Sequence, residues 1–178
     1  MKKKEITFKE FQSSILNDYR IVCESRHASI IGRKEVLTGK AKFGIFGDGK
    51  EVAQVAMART FRHGDFRSGY YRDQTFMMAI GELTLESLFA QLYANTNQEE
   101  EPASAGRQMN NHFATRSLDD AGDWKNIHQQ FNSASDISPT GSQMPRLLGL
   151  GYASKIYRHT SNIDNSKFSV NGDEIAYG

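Results

Sequence analysis

Between residues 7 and 31, Phe11, Ile15, Leu16, Tyr19, Val22 and Cys23 recur at three- and four-residue steps, the spacing of one apolar helical face, and predict a first helix. Gly32, Gly39, Gly44, Gly47 and Gly49 then interrupt any long element, which leaves room for a short extended piece over residues 42–46. From Lys50 onward, Val52, Val55, Ala56 and Arg59 predict a second helix. It stops near His63 and Gly64, where glycine suits a left-handed cap. A third helix is predicted over residues 73–80, opened by Asp73 and closed by Gly81. A fourth spans residues 85–93, capped by Thr84 with Glu86 in its first turn.

The pattern changes over residues 95–135, which are polar and carry little periodicity. A long loop is predicted there, and both readings of such a loop stand: a functional excursion and a mobile surface segment. Pro145 then falls where a first-turn proline would, ahead of a helix rich in small residues (Gly149, Gly151, Ala153). Residues 155–169 are polar, and residues 174–177 read as the start of a buried strand. No internal repeat is visible.

At 178 residues the chain suits one domain, and 38% apolar against 24% charged residues is a globular rather than a disordered composition. Lys+Arg 22 against Asp+Glu 21 gives no net field to recruit nucleic acid or an anionic membrane. Lys2, Lys3 and Lys4 read as a solvated terminus, because Glu5, Thr7 and Lys9 interrupt any apolar core that a signal peptide would need. No segment approaches the roughly 18 apolar residues of a membrane span. Cys23 is the one cysteine, so neither an internal disulfide nor a cysteine metal site can form, and a cytoplasmic location is expected.

Two segments carry candidate chemistry. Tyr71 and Arg72 follow Gly69 at an expected helix start, where a guanidinium, backbone N–H groups and the helix dipole together suit a diphosphate. Residues 138–145 set two prolines around small and hydroxylic side chains. Such a turn exposes oxygens to a cofactor ring or a monovalent cation, or simply caps the next helix. Gly47-Asp48-Gly49 looks like a metal-diphosphate motif, but the asparagine expected about 25 to 30 residues later is missing, so the triplet reads as a turn. The five histidines show no zinc-site spacing, and no Ser/His/Asp order follows from spacing alone.

Four blocks, in order, carry a resemblance: Gly49-Lys50-Glu51-Val52-Ala53; Gly69-Tyr70-Tyr71-Arg72-Asp73-Gln74; Gly106-Arg107-Gln108-Met109 with His112; and Ser138-Pro139-Thr140-Gly141-Ser142-Gln143-Met144-Pro145. They resemble the alpha subunit of thiamine-diphosphate-dependent 2-oxo acid dehydrogenases, most closely the branched-chain (2-oxoisovalerate) kind, from about Arg20 onward. The resemblance implies an α/β fold, with this chain its helix-rich N-terminal portion and most of the parallel sheet beyond residue 178. It implies that Tyr71 and Arg72 meet the cofactor's diphosphate, that Ser138 and Thr140 meet its aminopyrimidine, and that Phe43, Tyr70 and His112 line the substrate pocket. Thr140 stands where the family usually has an apolar residue. Ser142 and Gln143 would bind potassium. The Mg²⁺ ligands and the activating glutamate of a beta subunit or beta half are expected outside this sequence. The residues here alone are therefore expected to be inactive.

The implied reaction is oxidative decarboxylation with acyl transfer to lipoyl groups of a partner acyltransferase, in an oligomer. One alternative is the pyruvate or acetoin branch, whose loop usually reads Gly-Ile-Val-Gly in place of 138–143. Another, of a different class, is a helical interaction domain without catalysis.

Overall fold

The computed structural model describes residues 5–162, 167–168 and 174–178. Lys2, Lys3 and Lys4 and part of the polar stretch 155–169 lie outside the described residues. Helix α1 runs Phe8–Leu37. It opens on a capping box in which the Thr7 hydroxyl accepts from the Glu10 N–H and the Glu10 carboxylate accepts from the Thr7 N–H. The helix passes through Gly32, where a break was expected. A Cβ there would stand 2.4 Å from the Phe46 ring, so this glycine permits a close approach rather than a turn.

The apolar face predicted on α1 is not its buried face. Phe11, Ile15, Leu16 and Tyr19 are exposed, while α1 buries Ile21, Ser25, Ala28, Ser29 and Gly32. Small residues prevail because α3 (Gln74–Ala79) lies against them: Ser25 Oγ is 2.6 Å from Thr75 Oγ1, and Gln74 Nε2 donates to Ser29 Oγ at 2.9 Å. Helix α2 (Glu51–Ala58) ends earlier than predicted, so His63 sits in a loop. Helix α4 (Leu85–Leu92) starts at its predicted cap, where the Thr84 hydroxyl accepts from the Ser87 N–H. Helix α5 (Gln143–His159) carries Pro145 in its first turn, where a missing N–H costs nothing.

Three short parallel strands form the sheet: β1 (Phe66–Ser68), β2 (Asn132–Ala134) and β3 (Ala176–Tyr177), in the order β2-β1-β3. Phe66 pairs with both Asn132 and Ala176. Only β3 was predicted; β1 and β2 are three residues each and partly polar, too short to display an alternating pattern. The helix-rich α/β character expected from the sequence is observed. Ala28, Phe61, Phe76, Met77, Leu83, Leu88 and Phe113 form the main core. Phe61 anchors it, meeting Phe76 and Tyr177 edge-on at 5.2 and 5.1 Å and Phe131 stacked at 5.6 Å.

The stretch 95–135 is mostly irregular but packed. Phe113 and Ile127 are buried, a 3₁₀ turn spans Ile127–Gln129, and β2 begins within it. Its polar residues bond to backbone. The buried Glu101 carboxylate accepts from the N–H groups of Ala103, Ser104 and Gly106 and from the Ser104 hydroxyl.

Candidate functional site

Strand β1 delivers the chain into the turn at residues 69–73, and that turn is fixed on several sides. Asp73 Oδ2 accepts from the Tyr70 N–H and from Arg67 Nη2, both at 2.9 Å. Gln54 Nε2 donates to the Arg72 carbonyl at 2.9 Å. Gly69 admits the Arg67 guanidinium, whose carbon would lie 1.7 Å from a Cβ at that position. Tyr71 and Arg72 were expected to open a helix; they lie in this turn instead, and α3 starts only at Gln74 and is six residues long. So short a helix adds little dipole to the site, and among Tyr71 and Arg72 it is the Arg72 side chain that is suited to an anion.

Around the turn, six of the sequence-predicted residues make one continuous chain of contacts. The Arg72 guanidinium carbon lies 5.5 and 5.0 Å from the ring centres of Tyr70 and Tyr71, and its Nη1 donates to the Tyr70 hydroxyl at 3.2 Å. The Tyr70 and Tyr71 hydroxyls are hydrogen-bonded to each other, and Tyr70 Oη is 3.2 Å from Thr140 Oγ1. The Thr140 hydroxyl, with the Tyr71 hydroxyl and the Arg72 charge, holds the Tyr70 phenol below its usual range.

Tyr71 stacks at 6.1 Å on His112, whose Nε2 is 2.8 Å from Ser138 Oγ. His112 Nδ1 faces the carbonyls of Asn110 and Met109 at 3.1 and 3.2 Å, so Nδ1 carries the proton. In the neutral ring, Nε2 then accepts from the Ser138 hydroxyl, which leaves the Ser138 oxygen free to accept elsewhere.

Ser142 and Gln143 sit at the end of the same loop. The Ser142 N–H donates to the Pro139 carbonyl at 3.1 Å, and the Gln143 carbonyl accepts from Ser68 Oγ at 3.0 Å. Gln143 Oε1 is buried and has no donor among the described residues. Gln143 borders a cleft of about 430 Å³, with Lys50, Gln54, Arg67, Ser68 and Tyr70. Phe43 stands apart: its side chain is 43% exposed, and no described contact joins it to the cluster. Gly47-Asp48-Gly49 is a turn, and Asp48 pairs with Arg33 at 2.6 Å. Among the described residues no three His, Cys, Asp or Glu side chains converge to hold a metal. No described helix is long and apolar enough to cross a membrane.

Several residues at the heart of the arrangement were not anticipated. Arg67, 2% exposed, lies at the middle of β1 and bonds Ser133, Tyr70, Asp73 and Asp136. Burial pushes the Asp136 carboxyl above its usual range, against the pull of Arg67. Gln74 is fully buried; its Oε1 accepts from the Gly47 N–H at 3.1 Å and from Asn111 Nδ2 at 3.0 Å. Asp136 carried one signal, its place two residues before Ser138; Arg67 carried none, because its strand was not recognised.

A protein-family model described as "Dehydrogenase E1 component" matches residues 19–173, a span that includes every residue of this cluster.

Proposed function

The chain belongs to the dehydrogenase E1 component family, thiamine-diphosphate-dependent 2-oxo acid dehydrogenases, and from that premise we propose that it forms part of the cofactor wall of a branched-chain member. The observation that carries the reading is the unbroken contact chain from Arg72 through Tyr70 and Tyr71 to His112, Ser138 and Thr140. Three loops far apart in sequence meet there, and each contributes a block of the family resemblance.

The residues suit the cofactor. Arg72 spends only Nη1 on its described hydrogen bond, leaving Nε and Nη2 for a diphosphate. Ser138 keeps an acceptor for an aminopyrimidine amine, and Thr140 offers a hydroxyl beside it. When bound, the cofactor supplies the nucleophilic carbon and the electron sink for decarboxylation. The protein holds and orients it, with Tyr70 and His112 beside the substrate.

The orphaned Gln143 oxygen favours the branched-chain reading over the pyruvate or acetoin one. A neutral buried acceptor, with Ser142 next to it in sequence, suits potassium better than Mg²⁺, whose ligands and the activating glutamate are expected from other residues. The complete enzyme would pair with a beta subunit or beta half and a lipoyl-bearing acyltransferase.

The test is direct titration of thiamine diphosphate into the complete enzyme by calorimetry. Arg72→Ala is expected to weaken binding by about 1.5–3 kcal/mol, the scale of a hydrogen bond to a charged group. An unchanged dissociation constant would remove Arg72 from the site. Initial rates should favour 2-oxoisovalerate over pyruvate, and the reverse order would move the assignment to the other branch. The 178 residues alone are expected to give no turnover above a no-protein control.

A further inference from the structure

We infer that Arg67 is a positioning residue for the cofactor wall, acting with Asp136 as a buried ion pair that sets the three site loops relative to one another. The inference rests on the thiamine-diphosphate reading given above.

An arginine in the central strand of a small sheet is costly. At 2% exposure its charge is stripped of water, and a well-packed apolar side chain commonly gives equal or better stability there. What it does is connect. Nη2 donates to the Tyr70 carbonyl at 3.1 Å, to Asp73 Oδ2 at 2.9 Å and to Asp136 Oδ2 at 3.1 Å, while Nη1 donates to Ser133 Oγ at 2.7 Å. Asp136 Oδ2 accepts in turn from the Phe113 N–H at 3.1 Å, and the Asp136 N–H donates to the Phe113 carbonyl at 3.0 Å.

Each anchor lies next to a residue of the contact chain. Tyr70 belongs to it, Phe113 follows His112, and Asp136 precedes Ser138 by two residues. One planar guanidinium therefore fixes the spacing between Tyr70, His112 and Ser138 from beneath. Gly69 is shaped for the same purpose, since any Cβ there would collide with that guanidinium. The Ser133 arm differs, because it ties Arg67 to the neighbouring strand and touches no site loop.

The two kinds of arm make the inference testable in the complete enzyme. Thiamine diphosphate affinity by calorimetry and the thermal midpoint are measured for Arg67→Met, Arg67→Lys, Asp73→Asn and Ser133→Ala. Arg67→Met and Asp73→Asn are expected to weaken binding by about tenfold or more, as outer partners of a bound group do. Arg67→Lys should recover part of the loss. Ser133→Ala should lower the thermal midpoint and leave the dissociation constant within twofold.

A dissociation constant within twofold of wild type in Arg67→Met overturns the inference. So does a loss of affinity that tracks the thermal midpoint across all the variants, Ser133→Ala included. If Arg67→Met does not fold, Asp73→Asn decides by the same twofold criterion. A wild-type enzyme that binds no thiamine diphosphate would be a different result, defeating the functional reading itself.

Discussion

Gly47 faces the backbone of Arg72 so closely that a Cβ on the glycine would stand 2.2 Å from the Arg72 carbonyl oxygen. The turn ahead of α2 is thus the floor on which the 69–73 turn rests. Gly47→Ala must push one turn off the other. The expected cost is about 1–3 kcal/mol of stability, the usual range for overpacking, with a parallel loss of thiamine diphosphate affinity. Urea unfolding read beside cofactor titration checks both, and an alanine variant with wild-type values would mean that the two turns are not braced together.

Gln74 is a second buried side chain near the site that joins several segments. Its amide nitrogen donates to Ser25 and Ser29, and its oxygen accepts from the Gly47 N–H and from Asn111. Gln74→Leu keeps the approximate volume but strands those donors in a dry interior. A loss of about 2–4 kcal/mol is expected from the unsatisfied groups. Gln74→Glu should be worse near neutral pH, because a buried carboxylate would face the serine oxygens. Chemical denaturation of both variants at pH 7 orders them.

The pH dependence of stability should bear the mark of Glu51. Burial raises its carboxyl pKa, but two bonds from Arg26 and the N–H of Gly49 outweigh that and hold it below the ordinary carboxylate range. A carboxyl lowered by folding contributes stability that is complete above its unfolded value, about 4.3, and is lost as the pH falls through the folded value. Glu51→Gln is therefore expected to cost about 1 kcal/mol at pH 7, a modest figure because Arg26 is half exposed. The gap between variant and wild type should narrow as the pH falls below about 4.3 and close only once it has passed the folded value. Urea midpoints at about pH 7 and about pH 3.5 compare full ionisation with a pH at which the unfolded carboxyl is largely protonated, and a gap as wide at the lower pH as at the higher would show that the charge is irrelevant.

Potassium gives a fourth test. If an ion fills the valence of Gln143 Oε1 and orders the loop at residues 138–145, the complete enzyme should bind thiamine diphosphate about fivefold or more tightly in potassium than in sodium at equal ionic strength. Gln143→Leu should abolish that difference. Equal affinity in both salts for the unmutated enzyme would leave the loop a plain turn and remove the preference for the branched-chain branch.

The residues of the candidate site were more legible in the sequence than the framework beneath them. Tyr70, Tyr71, Arg72, His112, Ser138 and Thr140 were readable because they sit in short linear blocks, and the fold brings those blocks together. Arg67 was not, because a three-residue strand carries too little pattern to reveal that its middle side chain points inward. Helix α4 was readable from its Thr84 cap and compact apolar run. The buried face of α1 was not. Periodicity reports where apolar residues lie, whereas burial depends on the neighbour, and here the neighbour is the polar start of α3.

That polar seam between α1 and α3 acts like the teeth of a ratchet. Apolar side chains slide past one another at little cost, but Ser25, Ser29, Gln74 and Thr75 pair only at one setting of the two helices, and a slip in either direction would unpair them together. Because the far end of Gln74 holds the Gly47 N–H and Asn111, the axial setting of a thirty-residue helix dictates how high the turns of the candidate site stand.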